Sequence, residues 1–415
     1  MVYTANSSAV VCEDMQSEFP SVNQINHSVL LTGLLVALFC VVRFLYRKTR
    51  RNWTSVNIFI IGGGPIGLVA ALLAVKSKRL RKLTVIESES RRDLVKREYQ
   101  VCFDIENIAF LQTVGVEFDS IEGCRDKHGF YTRVGIFLDY CLTILENSEK
   151  KIRLLFETKF DKEIRKSLEK ESCRTLVIVC DGKKGQSARF LGLDEFTEEV
   201  SCQTFGAMAG VERPHLREVP TQEIRAHNLN FDLSAYGPYS QDQNGTTGFS
   251  LKIFGNSKCR YMCLAIRKCD SPTLKALRTI LDRSMMRNIF LKCFNTYKLK
   301  SEPGLSESFV LNHMKYSPRL FEVRYTQKCE TVAYFDDCDM FVVVEGEAAL
   351  SCNFHTGMDI NQGIRGLHSL DQFITRVTWA ESEQSISSAL AYKMQHSTKL
   401  FSSLSRDGIQ EFLFS

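Results

Sequence analysis

The chain has 415 residues, enough for two or three domains with full cores, and its 53 Lys and Arg against 48 Asp and Glu leave a net charge of only +5. Nothing in that balance suggests a nucleic-acid-binding stripe; part of the excess comes from two local clusters, Arg43, Arg47, Lys48, Arg50 and Arg51, then Lys76, Lys78, Arg79, Arg81 and Lys82, which read better as a membrane flank and a solvated basic loop. The 15 cysteines are odd in number and lack a CxxC pair, and Cys259, Cys263 and Cys269 have no histidine nearby, so they read as reduced core residues and neither a disulfide framework nor a metal set.

The first predicted element is apolar. Residues 28–46 (SVLLTGLLVALFCVVRFLY) are interrupted only by Arg43, which can snorkel, and Phe44, Tyr46 and Trp53 suit an interfacial belt. The following flank is basic and the preceding one carries Glu13, Asp14 and Glu18. The positive-inside rule then predicts a single-pass transmembrane anchor with residues 1–27 outside and the rest facing the cytoplasm. A cleaved signal peptide would carry its charges before the run and small residues after it, and neither is present. A buried helix of a soluble domain is the other reading, which the start of the next domain directly afterwards disfavours. Asn6 and Asn26 each begin a glycosylation triplet, a pattern common by chance.

Next comes Asn57-Ile-Phe-Ile-Ile-Gly62-Gly63-Gly64-Pro65-Ile66-Gly67-Leu68, which reads as a buried strand, a glycine turn and a helix start. A second strand, Lys82-Leu-Thr-Val-Ile, ends at Glu87, 20 residues after Gly67. This is the spacing of a dinucleotide-binding βαβ unit. Gly62 allows the tight turn, Gly64 lets a pyrophosphate approach the backbone, and Gly67 brings the helix close to the strand. The helix N-terminus offers unpaired N–H groups to phosphate, and an acid in place of a basic residue suits a free ribose, as in FAD or NAD.

Further along, Ile108 to Val114 and Thr132 to Leu145 predict helices, and Leu176 to Cys180 a buried strand. From about residue 200 the character changes. Phe249–Phe254 and Cys259–Ile266 predict strands of a hairpin, with Cys259 and Cys263 on one face, and Ser271-Pro272 opens a helix carrying Leu274, Leu277, Leu281, Met285 and Ile289. Leu320–Tyr325 and Met340–Val344 predict strands, and 360–376 and 382–404 helices. A sheet-based domain inserted in the dinucleotide domain follows from this order. Tyr236 and Tyr239, beside Gly237-Pro238, would line a substrate pocket or form a packed loop.

Three motifs stand in order after the predicted strands: Asp181-Gly182-Lys-Lys-Gly185, Gly346-Glu347-Ala348-Ala349 and Thr356-Gly357-Met-Asp-Ile-Asn361-Gln-Gly363. With the glycine turn they resemble the FAD-dependent monooxygenases of the para-hydroxybenzoate hydroxylase type, a group that includes aromatic-ring and ubiquinone-pathway hydroxylases and, distantly, the MICAL flavin domain. The resemblance covers about residues 56–400. It implies an α/β fold, a Rossmann-type FAD-binding domain like that of glutathione reductase (54–199 and 336–415) with an inserted β-sheet substrate domain (200–335), here following the anchor. It implies FAD held by Gly62, Gly63, Gly64, Pro65, Ile66, Gly67 and Glu87, with Arg97, Arg133, Asp181, Gly346, Glu347, Gly357 and Asn361 around the flavin and its linker.

Two departures from the pattern stand out. Glu347 replaces the usual Asp, and Asp359 replaces the second glycine of the G-x-G-x-N helix entry, where its side chain would oppose a reduced-flavin anion or cap the helix. Asn353-Phe-His355 stands where a proline is usual. A lone histidine by a turn is more often structural than an acid–base group. The expected activity is NAD(P)H-driven hydroxylation, with O₂ as co-substrate, of an aromatic or other electron-rich and lipophilic small molecule, with no catalytic base identified. A flavin reductase or dehydrogenase, and a non-catalytic FAD-fold interaction protein, are the alternatives.

Overall fold

The computed structural model describes residues 33–43, 45, 55–125, 127, 129–150, 152–171, 173–213, 223–230, 248–270, 272–357 and 359–407. Two units separate, residues 1–53 and 54–415. In the first, residues 33–43 are helical with exposed side chains. Residues 28–32, 44 and 46 of the expected anchor, the tail 1–27, Trp53, Tyr236 and Tyr239 lie outside the described residues. Among the described residues no helix is long and apolar enough to cross a membrane.

The second unit is built on two main sheets. In chain order its strands are β1 (Val56–Ile61), β2 (Leu80–Ile86), β3 (Gln100–Asp104), β4 (Cys124–Arg125), β5 (Gly129–Arg133), β6 (Ile152–Leu155), β7 (Thr175–Val179) and β8 (Thr197–Glu212). There follow β9 (Glu223–Asn230), β10 (Gly248–Gly255), β11 (Cys259–Arg267), β12 (Met314–Tyr316), β13 (Phe321–Lys328), β14 (Val332–Phe335), β15 (Met340–Val344) and β16 (Leu350–Cys352). The first sheet runs β14-β15-β7-β1-β2-β6, parallel except for β14. β1, β7 and β15 are buried along their whole lengths, as expected of parallel strands covered on both faces. Ile58, Ile60, Leu176, Ile178, Phe341 and Val343 pack in one core with the helices Pro65–Lys76, Val134–Glu146 and Leu370–Trp379. Phe59, Ile61, Val177, Val179, Val342 and Val344 pack in another with Leu168 and Leu191.

The chain leaves β1 for β2 and β6 on one side, then returns to β7 and β15 on the other. The carboxyl ends of β1 and β7 therefore flank a topological switch point, where loops diverge and leave a crevice.

The second sheet runs β16-β13-β8-β11-β10-β9, with β12 on β8, all antiparallel. Strand alternation sorts its side chains. Met262, Leu264 and Ile266 of β11 and Leu251 and Ile253 of β10 pack with the helices Pro272–Ile280 and Arg283–Tyr297. Tyr261, Cys263, Ala265 and Phe254 join Tyr325, Cys352 and Phe354 on the opposite face. The small sheet β3-β5-β4 is separate.

The observed segments differ from the expected division at several places, among them 360–376, expected as one helix and observed as two, Ile360–Leu367 and Leu370–Trp379. β14, inside 200–335, belongs to the first sheet because it turns back onto β15 through Asp336–Cys338 and Asp339, whose φ is +44°. β16, inside 336–415, belongs to the second, pairing Tyr325 with Cys352. The helix expected from Pro272 through Ile289 is two helices, because Asp282 caps a new start by accepting from the Met285 N–H at 2.8 Å.

One contact sets how the first helix meets the sheet. A Cβ on Gly67 would lie 1.9 Å from the Gly62 carbonyl oxygen, so only glycine lets the helix sit this close. Gly67→Ala is expected to cost about 3 kcal/mol, read from the urea midpoint at unchanged slope. A midpoint within error of the parent would contradict this packing.

Candidate functional site

A cavity of about 900 Å³ opens at the carboxyl ends of the parallel strands and extends to the second sheet. Its walls come from the turns after β1 (Gly62, Gly64, Pro65, Ile66), after β2 (Glu87), after β7 (Asp181, Gly182, Lys183) and after β15 (Glu345, Gly346, Glu347). Gly357, Asp359 and Ile360 close another side, and Phe254, Tyr261, Tyr325 and Cys352 form the second-sheet wall. Strands converging from one sheet edge bring together residues that stand almost 300 apart in the chain.

At the first end the glycines divide into two kinds. Gly62 has φ +105°, and a Cβ there would meet the Cys180 carbonyl oxygen at 2.4 Å; like Gly67, it is required by the fold itself. Gly64 is different. Its backbone is extended (φ −70°, ψ −179°), which any residue adopts, and a Cβ there would meet nothing within 4 Å. The chain makes no internal demand for glycine at a position that lines the cavity. Gly64 also caps the helix Pro65–Lys76, whose first turn carries no acid and whose N-terminal N–H groups have no helical acceptors.

Glu87 is 7% exposed. Its Oε2 accepts from the Gly63 N–H at 2.6 Å, and its Oε1 accepts from the Glu89 N–H at 2.8 Å. The acid therefore stands against the glycine turn from the neighbouring strand, oriented by the backbone on both sides. Arg97 reaches the cavity wall and pairs with Glu89 at 2.9 Å. Asp181 is held in its turn by accepting from the Ser187 N–H at 3.0 Å, and Gly182, at φ +78°, faces open space.

Gly346, at φ +65°, presses on Ile66, and Gly363 does the same from the helix Ile360–Leu367, where a Cβ would meet Ile66 at 2.6 Å. These two glycines let the N-termini of two helices approach one another beside the cavity. Beneath them, Glu345 (3% exposed) and Lys393 (0% exposed) form a buried ion pair, and Lys393 also donates to the Gly366 carbonyl at 2.9 Å and to Ser369 Oγ at 2.8 Å. Such a pair is costly to break from one side, because the remaining charge is left buried.

Four of the expected residues do not line the cavity: Gly63 and Gly67, which are spent on the Glu87 bond and on helix packing, and Arg133 and Asn361. Arg133 ends β5 at the start of the helix Val134–Glu146, away from the wall, with its Nε buried and unpartnered among the described residues. Asn361 is fully buried and spent on the protein itself. It donates to the Cys102 carbonyl at 2.8 Å and accepts from the Asp104 N–H and the Asn107 amide, each at 3.1 Å. The reason is register: Asn361 lies on the side of its helix that meets β3, not at the open end.

Asp359 occupies the cap position of the helix Ile360–Leu367, but its side chain makes no capping bond. Its Oδ2 instead faces His355 Nδ1 at 2.9 Å, and its Oδ1 is buried without a partner among the described residues. Burial and the Asp359 charge raise the Glu347 carboxyl pKa. The hydrogen bond to Asp359 raises that of His355. His355 thus belongs to the cavity, which motif comparison did not favour.

The second-sheet wall was not foreseen by residue. Phe254 and Tyr261 face one another across β10 and β11 and stack at 5.4 Å. Tyr325 and Cys352 are paired across β13 and β16. Burial raises the Tyr261 phenol to about 12 and that of Tyr325 well above its ordinary value, so both are neutral donors at physiological pH. This wall carries aromatic and sulfur groups and no charge.

No protein-family model matches the chain, and no curated protein matches it. Among solved structures it is similar to tetracycline destructase Tet(51), at 12% identity and a TM-score of 0.43, over 85% of this chain and 89% of that one. It is also similar to p-nitrophenol 4-monooxygenase PnpA from Pseudomonas putida DLL-E4, at 14% identity and a TM-score of 0.45, over 84% and 89%.

The role of Asn361 gives a direct test. Asn361→Ala removes the donor to the Cys102 carbonyl and the acceptor of the Asp104 N–H, while the Asn107 amide keeps Asp104 Oδ1, and is expected to cost about 2 kcal/mol, measured by urea denaturation of the ligand-free chain. An unchanged midpoint would return Asn361 to the set of ligand-binding candidates.

Proposed function

We propose that the chain is a flavoprotein oxidoreductase: it binds FAD in this cavity, accepts electrons from NAD(P)H and hydroxylates an aromatic or other electron-rich small molecule with O₂. The observation that carries the reading is Gly64. A glycine with no conformational or internal packing demand lines the cavity at a helix N-terminus, which is where a pyrophosphate needs the side chain absent. Glu87, oriented on the next strand end, suits a ribose diol. Arg97, Asp181 and the turns at Gly346–Glu347 and Gly357 would surround the rest of the cofactor.

When bound, FAD supplies the redox and oxygen chemistry. The chain's part is binding, orientation and exclusion of water. The helix N-termini at Pro65 and Ile360 favour negative charge at two points of the cavity. The Phe254–Tyr261 stack and Tyr325 offer an uncharged aromatic wall for a flat, apolar substrate, with phenol hydroxyls as donors. The carboxylates of Glu347 and Asp359 stand on the same cavity, an arrangement that a flavin-binding protein without hydroxylase activity would also tolerate. We place the chain on a membrane through residues 28–46 with the cavity on the cytoplasmic side, on the strength of the apolar run and its basic flank.

Gly64→Ala separates the ligand role from a folding role. The ligand-free variant is expected to match the parent in stability within about 0.5 kcal/mol, while FAD affinity measured by fluorescence titration falls at least tenfold, about 1.4 kcal/mol. Equal affinity in both proteins would remove the pyrophosphate from this turn. With FAD bound, ¹⁸O₂ is expected to label the product of a phenol or quinone precursor; NAD(P)H consumption without label would favour the reductase alternative.

A further inference from the structure

Glu347, His355 and Asp359 offer polar atoms that all lie within 4.8 Å of one another on the cavity wall. The geometry is ordered: His355 Nδ1 faces Asp359 Oδ2 at 2.9 Å, while Nε2 has no partner among the described residues. An ionised carboxylate only accepts, so it selects the ring form with hydrogen on Nδ1 and leaves Nε2 to meet a ligand. Neither Glu347 nor Asp359 pairs with a lysine or arginine among the described residues, and Asp359 Oδ1 is buried and unpartnered. Two carboxylates this close repel, and the repulsion is relieved by a proton held on one of them or by a positive charge between them.

We propose that His355 and Asp359 form a proton-exchange dyad on the cavity, with Glu347 as the second carboxylate that holds its proton in place, acting on an anionic ring oxygen or nitrogen of the bound ligand. The proton leaves Nε2 of the imidazolium for the ligand anion, the ring becomes neutral imidazole, and water at the open side of His355, which is 59% exposed, restores it. Asp359 is a positioning residue in this scheme. The groups facing the dyad are few. Lys183 comes from the turn after β7, Tyr99 stands near both carboxylates, Tyr325, Cys263 and Cys352 stand near Asp359, and Met208 Sδ accepts from the His355 N–H at 3.2 Å. The hydrogen bond to Asp359 and the Glu347 charge raise the His355 pKa, against partial burial and Lys183. The folded-state value is raised, so the dyad's contribution to stability is present below the ordinary histidine value, about 6.5, and is lost as pH rises through the folded value.

The identity of the ligand as flavin or its substrate rests on the proposed function; the dyad does not. The test is an NMR titration of the histidine rings in the ligand-free full chain, with His355→Gln for assignment and Asp359→Asn as the variant. The His355 midpoint is expected above that of an exposed histidine and to drop at least tenfold in proton affinity in Asp359→Asn. In the FAD-loaded protein, the reduction potential is expected to change slope at the His355 midpoint, and His355→Gln to abolish that break. An ordinary His355 midpoint insensitive to Asp359→Asn would overturn the dyad even in a protein that binds FAD. Stoichiometric binding of added Zn²⁺ that is lost in His355→Gln and Asp359→Asn would overturn it in favour of a cation site. A protein that takes no FAD yet shows the shifted, Asp359-dependent midpoint would keep the dyad and refute the flavin reading alone.

Discussion

The close approach of Gly67 to the Gly62 carbonyl governs the rest of the site. It seats the first helix against the end of β1, so its N-terminus points along the strand's exit and not past it. Gly62, in the left-handed region against the Cys180 carbonyl, keeps the ends of β1 and β7 adjacent at the switch point. With these two fixed, Gly64 is left at the rim of an open space. Ile66, on the same turn, becomes the surface on which Gly346 and Gly363 close from the other half of the chain. One turn thus joins both sequence segments of the parallel-sheet layer.

Charge is distributed unevenly along the cavity. The end at Gly64 presents backbone N–H groups and a helix N-terminus, a weak positive potential with no basic side chain on the turn itself. The end at Gly357 presents a second helix N-terminus, but Asp359 and Glu347 stand in front of it, and His355 offsets them only when protonated. Beneath, the Glu345–Lys393 pair is buried and bonded to the Gly366 carbonyl and Ser369, so it holds the helix Ile360–Leu367 in place without adding net charge. The second-sheet wall is neutral. A ligand that spans the cavity would meet an anion-favouring end and a proton-bearing end, joined by aromatic surface.

Much of this was legible in the sequence, for physical reasons that act locally. The glycine turn, the buried strand before it and the acid on the next strand end each follow from short-range sterics, and they lie where the spacing predicted. Pairing partners were harder. That β14 belongs to the first sheet and β16 to the second depends on long-range hydrogen bonding that no local pattern carries. The internal bonds of the Asn361 side chain were not legible, because a helix entry motif does not say which side of the helix faces β3. Asp359 stands at a cap position yet bonds to His355, since an imidazole one turn back competes with the backbone N–H groups. Position along the chain suggests a role for each; burial and partners show what each does in the fold itself.

The most direct measurement is the visible absorbance spectrum of the full chain, purified gently in detergent and then supplied with FAD. The account predicts flavin bands approaching one FAD per chain that survive gel filtration. A chain that stays colourless after this treatment, while its thermal midpoint shows it folded, would contradict the reading of the Gly64 rim as a dinucleotide site.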